Sequence, residues 1–265
     1  MSIIDVIILG IIEGLTEFLP ISSTGHMILT SEILGLKSTE FLKTFEISIQ
    51  LGAIMAVVYL YRERLMTSFV VYQKLFVAFL PAAVIGFLAY DFIKGYLFNA
   101  YVVSVALIIG GVFLILLDRW TSGREQIYGD LEEVSYTGAV QIGLFQCLAM
   151  IPGTSRAAAS IFGGIFAGLD RKQATEFSFL LAIPTMFAAT GYDLLKTSAE
   201  LNQNEIILLL TGGAIAFIFA WLAVKAFIAI VVKHGFHHFG YYRIVLGGAF
   251  LLLSWWIGME VHQEL

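Results

Sequence analysis

Fourteen consecutive residues near the N-terminus carry more reactive chemistry than the rest of the chain: Glu13-Gly-Leu-Thr-Glu17-Phe-Leu-Pro20-Ile-Ser22-Ser23-Thr24-Gly25-His26. Glu13 and Glu17 are four apart, so on a helix they share one face. Two like charges side by side in an apolar setting are unfavourable unless a cation lies between them or one stays protonated. A hard divalent cation such as Mg²⁺ or Ca²⁺ would relieve both, which makes Glu13 and Glu17 a candidate metal pair. The structural alternative is a pair of carboxylates satisfied by hydroxyls on neighbouring helices. Beyond Pro20, Ser22, Ser23 or Thr24 can cap a following helix, whose free N–H groups and dipole favour a phosphate. Pro152-Gly153-Thr154-Ser155-Arg156 repeats that logic and adds a guanidinium, whose fork matches phosphate oxygens. Two opposed helix N-termini with Arg156 would form one anion cradle, lined by Ser22, Thr24, Thr154, Ser155 and Arg156. Otherwise Arg156 balances Glu13, Glu17, Glu46 or Glu176. His26 could serve as base, acid, nucleophile or ligand.

The elements that position these residues must cross a membrane. Of the 265 residues, 59% are apolar and only 13% charged, and the mean hydropathy is +0.88. A soluble domain runs near 45–50% apolar and about 25% charged. The formal charge of -5 is small and scattered, which argues against a nucleic-acid partner. The single cysteine, Cys147, excludes an intrachain disulfide and a cysteine metal cage. No basic, cleavable leader precedes the first apolar run, so the N-terminus is expected to be retained.

Six stretches are long and apolar enough to cross: about 44–61, 75–92, 101–117, 175–194, 206–232 and 243–259. Two further apolar regions, 3–36 and 136–169, are broken by Pro20 and Gly25 and by Pro152 and Gly153. Behind each break the arm Ser22–Leu36 or Ser155–Leu169 reaches only about 22 Å as a helix, short of a hydrocarbon core of roughly 30 Å. Each region therefore reads as a re-entrant hairpin of two half-helices, with kinked spanning helices as the alternative. The step from Pro20 to Pro152 equals the step from Ser23 to Ser155, and the step from Glu46 to Glu176 is shorter by only two. The expected fold is one all-α polytopic membrane domain over 1–265. It is an inverted-topology repeat of six transmembrane helices and two hairpins, with repeat one about 1–120 and repeat two about 134–265.

With the N-terminus on one side, the loops there hold Lys37, Lys43, Lys94 and Lys196. The opposite loops hold Arg62, Arg64, Lys74, Arg119, Arg124, Arg171, Lys172, Lys233 and Arg243. Nine against four makes the latter side cytoplasmic and turns both termini and the site outward. Tyr59, Tyr61, Tyr241, Tyr242, Trp255 and Trp256 suit interfacial belts. Gly110-Gly111, Gly212-Gly213 and Gly247-Gly248 suit close helix packing. His234-Gly-Phe-His237-His238 reads as a solvated loop without an acidic partner, and Glu46 and Glu176 as equally open to structural and supporting roles.

The residues at 13–26 and Pro152-Gly-Thr-Ser-Arg156 resemble the two signature motifs of the bacterial undecaprenyl-pyrophosphate phosphatases, also called bacitracin-resistance proteins. The resemblance continues through Phe45-Glu46, Gln50-Leu-Gly and Glu176-Phe-Ser-Phe-Leu-Leu-Ala-Ile-Pro184, and so covers most of the chain. It implies removal of the terminal phosphate from undecaprenyl diphosphate in the bacterial inner membrane. The product is the monophosphate carrier for cell-wall polymers, made with a divalent metal at a site open to the periplasm. It assigns catalytic roles to Glu13, Glu17, Ser23, His26 and Arg156. Where that family reads Ser-Arg-Ser-Gly-x-Thr, this chain reads Ser155-Arg-Ala-Ala-Ala-Ser160. Ser160 keeps a hydroxyl, and Ala157-Ala158 removes one hydroxyl and a glycine. Ser23 is the favoured nucleophile, with His26 or a water activated by the metal as alternatives. A transporter of an isoprenoid phosphate lipid is the rival function, and the reading leaves room for a homodimer.

Overall fold

The computed structural model describes residues 1–37, 39–96, 100–121, 127–196 and 201–257, with the side chains of 90–96, 100, 193–196 and 253–257 outside the description. These residues form an all-α membrane protein. Its helices are α1 (Ile3–Thr16), α2 (Ser23–Ile33), α3 (Glu40–Leu60), α4 (Arg62–Thr67), α5 (Phe69–Tyr96), α6 (Ala100–Thr121), α7 (Tyr136–Gln146), α8 (Arg156–Phe166), α9 (Arg171–Lys196), α10 (Gln203–His234) and α11 (His237–Ile257).

Among the described residues, four stretches are long and apolar enough to cross a bilayer: Glu40–Leu60, Phe69–Ala89, Tyr101–Thr121 and Gln203–His234. The predicted spans 175–194 and 243–259 fall on α9 and α11, and the end of the second lies outside the described part. Helices start earlier than hydropathy alone indicates, because capping side chains rather than apolar residues open them. Thr39 accepts from the Leu42 N–H at the head of α3. Asn202 and Glu205 form a reciprocal capping box at α10, as Ser2 and Asp5 do at α1.

Both interrupted regions appear as two short helices around an irregular break. α2 and α8 have 11 residues each, about 16 Å of helix at 1.5 Å per residue. Their ends match. Ser22 and Ser155 are the N-caps, and they are the only non-glycine residues at positive φ (70° and 73°) among the described residues. Gly35 and Gly168 close the far ends at φ 64° and 102°, each with paired Schellman-type bonds: Leu36 N–H to the Ser31 carbonyl and Leu169 N–H to the Gly164 carbonyl. Ser155 follows Ser22 at the same spacing as Gly168 follows Gly35, and that spacing is longer by one than the step between the prolines. The second loop therefore holds one more residue than the first. Ser155 thus matches Ser22, and Arg156 matches Ser23.

The helices pair across the two halves of the chain: α1 packs on α10, α7 on α5, α3 on α9 and α6 on α11. Glycines let backbones touch. Gly52 on α3 abuts the Gly213 carbonyl on α10, and Gly111 on α6 abuts the Gly240 carbonyl on α11.

Two charge readings are corrected by packing. Arg243, counted among loop cations, lies inside α11 and is 0% exposed, because α11 begins at His237, ahead of the predicted span. The histidine cluster has an acidic partner after all. Asp118, at the end of α6, contacts the His237 ring Nδ1 at 2.7 Å, accepts the Phe236 N–H at 3.1 Å and pairs with Arg171 at 2.7 Å. That partner is 119 residues away in sequence, so only the α6–α11 packing reveals it. Arg124 lies outside the described residues.

The Gly52–Gly213 contact is one-sided. A Cβ on Gly52 would run into the Gly213 carbonyl, whereas a Cβ on Gly213 meets nothing within 4 Å. Gly52→Ala is expected to lower stability by about 1–3 kcal/mol, the usual cost of overpacking. Gly213→Ala should be neutral or slightly stabilising, because alanine favours a helix by up to about 1 kcal/mol over glycine. Thermal unfolding of the two variants in the same detergent checks both.

Candidate active site

The centre of the site is the Glu17 carboxylate, which closes α1 at the start of the first break. Its Oε2 accepts from the Ser23 hydroxyl at 2.5 Å, and its Oε1 accepts from Arg156 Nη2 at 3.0 Å. Ser23 and Arg156 are the first residues of α2 and α8. The two half-helix N-termini therefore converge on one carboxylate, each through its first side chain. The guanidinium has two further contacts: Nη1 donates to the Ser178 carbonyl of α9 at 3.1 Å, and the group lies 5.4 Å from the Phe18 ring centroid, while the buried Nε has no partner among the described residues. Phe18 is fully buried and meets Phe179 edge-on at 5.6 Å, which fixes the surface on which the guanidinium rests. The side chains of Arg156 and Glu17 are 12% and 10% exposed, so the pair works in a poorly solvated setting.

Beside this pair is a cavity of about 550 Å³. Glu17, Ser22, Ser23, Thr24, Ser155 and Arg156 all contribute to its wall, with Gln50, Gln146 and Thr185 beside them. Ser22 and Ser155 use their hydroxyls as caps, accepting from the N–H groups of Gly25 (3.4 Å) and Ala158 (3.2 Å). Their left-handed backbone costs on the order of 1–3 kcal/mol per residue. The same strain at matched positions of both breaks ties it to the site rather than to accident.

Not every candidate faces the cavity. Ser160 is buried, donates to the Arg156 carbonyl at 2.9 Å and meets the Ser178 hydroxyl at 2.7 Å, binding α8 to α9 behind the guanidinium. Thr154 lies on a separate apolar cavity of about 1190 Å³ between α6, α7 and α8. His26 stands behind the first break. Its Nδ1 donates to the Ser22 carbonyl at 2.8 Å, which leaves Nε2 to accept from the Tyr242 hydroxyl at 2.6 Å in the neutral ring. The two rings stack with their planes 6° apart. In this arrangement the partner of the Ser23 hydroxyl is Glu17, and both nitrogens of His26 are engaged elsewhere.

Glu13 sits one turn before Glu17, 1% exposed, and its Oε1 has no hydrogen-bond partner. Among the described residues no group of three or more His, Cys, Asp or Glu side chains gathers as a metal site. Magnesium, however, commonly takes one or two protein carboxylates and completes its shell with water and substrate phosphate. An orphaned buried carboxylate oxygen beside a second carboxylate fits that donor chemistry. Glu46 lies within electrostatic reach of Glu13 and accepts from Ser31 at 3.0 Å, while Glu176 faces Lys172 at 3.9 Å, away from the cavity wall.

Sequence reasoning missed four contributors. Ser178 belongs to the Glu-x-Ser pattern that recurs at Glu46 and Glu176, which was its signal. Gln146 follows Glu13 at the same spacing as Ser155 follows Ser22. It is buried, donates to Thr185 at 3.1 Å and has an unpartnered Oε1. Tyr242 and Arg243 had no signal short of the tertiary structure.

Helices of membrane-crossing length around two interrupted hairpins, with a carboxylate, a serine and an arginine at the breaks, define a polytopic membrane protein with a site suited to phosphate chemistry. The sequence matches the family described as bacitracin resistance protein BacA over residues 6–249. The chain belongs to that family. It is 54% identical to the undecaprenyl-diphosphatase of Persephonella marina over 252 residues, 95% of this chain and 99% of that protein. It is 53% identical over 251 residues to the undecaprenyl-diphosphatase of Wolinella succinogenes, covering 95% and 98% of the two chains. The undecaprenyl-diphosphatase of Bdellovibrio bacteriovorus is 50% identical over 253 residues, 96% of each chain.

The largely buried ion pair supports a thermodynamic prediction. Glu17→Gln leaves Arg156 without its anion and should destabilise the protein by about 3–5 kcal/mol. The double variant Glu17→Gln/Arg156→Met removes both charges and should recover much of that loss. Thermal unfolding of the two variants measures the difference; equal stability of both would show that the pair is solvated.

Proposed function

We propose that this protein hydrolyses undecaprenyl diphosphate to undecaprenyl phosphate and inorganic phosphate. The observation that carries this reading is the Ser23 hydroxyl donating to Glu17 at 2.5 Å while Arg156 holds the other oxygen of the same carboxylate. A serine at a helix N-terminus beside a carboxylate is a nucleophile with its base in place. The relatives, named as undecaprenyl-diphosphatases and matched over nearly their whole length, supply the substrate class. The rival reading, transport of an isoprenoid phosphate lipid, is not favoured, since a carrier has no need of a nucleophile and base in contact.

In the reaction, Arg156 grips the diphosphate together with the free N–H groups of α2 and α8. Phosphate oxygens compete with Glu17 for the guanidinium, and the released carboxylate becomes a better proton acceptor. Ser23 Oγ attacks the terminal phosphorus and gives its proton to Glu17. The bond from that phosphorus to the bridging oxygen breaks, Glu17 returns the proton to that oxygen, and the lipid monophosphate leaves. Water then attacks the phosphoserine and gives its proton to the freed Glu17, which passes it to Ser23 Oγ as the Oγ–phosphorus bond breaks and phosphate departs. His26 acts by bracing the Ser22 carbonyl, which keeps the cap and hence Ser23 in place. Glu13 and Glu17 are the residues that would hold Mg²⁺ or Ca²⁺, with the unpartnered Glu13 Oε1 as support. When bound, such an ion would offset phosphate charge and polarise the reacting centre.

The architecture belongs to the same proposal: one domain, an inverted repeat of about 1–120 and 134–265, with six crossings and two re-entrant hairpins. Matched caps at Ser22/Ser155 and Gly35/Gly168 and the reciprocal pairing of α1 with α10 and α7 with α5 support it. Without Arg243 the loop cations still divide eight to four, which supports a site opening to the periplasm across the inner membrane.

Purified protein in detergent should release phosphate from a polyprenyl diphosphate, and chelator should stop it. Ser23→Ala should lower kcat by several orders of magnitude, and Arg156→Lys should lower kcat/KM by roughly 2–4 kcal/mol, since an ammonium cannot span two oxygens. Absence of phosphate release from the wild type would end this reading. Full activity of Ser23→Ala would transfer the nucleophile's role to another group.

Orientation is tested separately. Single cysteines at Lys37 and Arg62, in a background lacking Cys147, should differ in intact cells: an impermeant thiol reagent reaches position 37 and misses 62. The reverse labelling would turn the site to the cytoplasm.

A further inference from the structure

Among the described residues, no carboxylate pairs with Arg243. It is 0% exposed, and all five of its N–H donors go to main-chain carbonyls. Nε donates to Leu107 at 3.2 Å. Nη1 donates to Pro20 at 3.0 Å and Thr154 at 2.8 Å. Nη2 donates to Ala106 at 3.0 Å and Gly153 at 2.8 Å. One guanidinium therefore joins the break of the first hairpin, the break of the second and the middle of α6. Its reach depends on Gly110, where a Cβ would collide with the guanidinium itself.

We infer that Arg243 is the positioning residue that fixes the backbone of both breaks, sets the phosphate-binding face of the second and supplies uncompensated positive charge between them. The inference rests on the phosphatase reading above and follows from two geometric facts. A trans peptide carries its C=O and N–H on opposite edges. With the Thr154 carbonyl drawn onto Arg243, the Ser155 N–H turns away from it, on the side where Ser155 and Arg156 enter the cavity wall. The Pro20 carbonyl is held by the same guanidinium, but the N–H of that peptide, Ile21, donates to the Leu19 carbonyl at 2.8 Å, so at the first break Arg243 fixes the backbone ahead of the Ser22 cap without turning a donor to the cavity. The second fact is charge balance. Arg156 is neutralised by Glu17 at 3.0 Å, and Glu13 adds negative charge beside them. The Arg243 charge is met only by neutral carbonyls, so its field is not cancelled locally. In a poorly solvated interior such a field extends to groups that an exposed charge would not reach. Tyr242, its neighbour on α11, holds His26 at 2.6 Å, so consecutive residues of one helix fix the backbone at both breaks.

Arg243→Lys keeps the charge but offers three donors from a single point in place of a planar fork. Gly110→Ala leaves Arg243 intact and displaces its guanidinium. Each variant, purified in detergent, is assayed for phosphate release from a polyprenyl diphosphate and for inhibition by inorganic pyrophosphate. Rates are normalised to the folded fraction from thermal unfolding. Per folded molecule, both variants should lose about 100-fold in kcat/KM, the scale of losing one preorganised donor. The inhibition constant for pyrophosphate should rise at least about 10-fold, a loss of roughly 1.4 kcal/mol in binding. Wild-type values per folded molecule in both variants would reduce Arg243 to a structural clamp and overturn the inference, as would an unchanged pyrophosphate constant. Calorimetric titration with pyrophosphate reads the same affinity without turnover. A wild type that binds pyrophosphate but releases no phosphate would therefore refute the phosphatase reading and leave the Arg243 comparison standing.

Discussion

A helix broken inside an apolar protein leaves peptide groups without partners, and each one left unmet costs on the order of 1–3 kcal/mol. This chain has two such breaks in contact, and most of its unusual features answer that constraint. Ser22 and Ser155 cap the helices that resume after each break, and both accept a left-handed backbone to do so. Ser155 also donates across to the Leu19 carbonyl of the other hairpin at 3.4 Å. Arg243 takes three further loop carbonyls. With those carbonyls taken, the starts of α2 and α8 at Ser23 and Arg156 bring their helix dipoles to one cavity wall, which suits an anion.

Glu17 then decides what that preference is used for. A cradle of donors with Arg156 alone would bind phosphate and hold it. The carboxylate between Arg156 and Ser23 neutralises that guanidinium and keeps a proton acceptor beside the Ser23 hydroxyl. The guanidinium is prevented from drifting by the Phe18 ring and the Ser178 carbonyl, so an arriving phosphate meets it already oriented. Most of the ordering of Arg156 is therefore completed in folding, where it does not subtract from substrate binding.

How much of this could be read from the chain depends on whether the signal was local. Helix existence and the two breaks were legible, because hydropathy and proline report on a few neighbouring residues. So were Glu17, Ser23 and Arg156, which sit in dense polar motifs inside apolar sequence. Helix starts were misjudged where polar caps open them, and Arg243 was assigned to a loop for that reason alone. The roles of His26, Thr154 and Ser160 were read from proximity in sequence, and the chain turns each of them away from the cavity wall. Asp118 with His237, and Tyr242 with His26, are contacts over 119 and 216 residues. No local pattern encodes them.

The proposed repeat also explains why the site is not symmetric although its backbone nearly is. In the register fixed by the two serine caps and the two terminal glycines, Glu13 corresponds to Gln146, Glu17 to Met150 and Ser23 to Arg156. A symmetric site would carry either two carboxylate pairs, which repel a phosphate, or two arginines, which hold the product as firmly as the substrate. In the proposed roles, the acids and the nucleophile stand on one hairpin and the cation on the other, with the phosphate between them. Gln146 preserves the shape of Glu13 without its charge, and its amide reaches Thr185 on α9. In the proposed repeat, the duplicated backbone would supply two helix N-termini for one anion, and divergence of three side-chain pairs would turn an anion site into one that can break a phosphoanhydride.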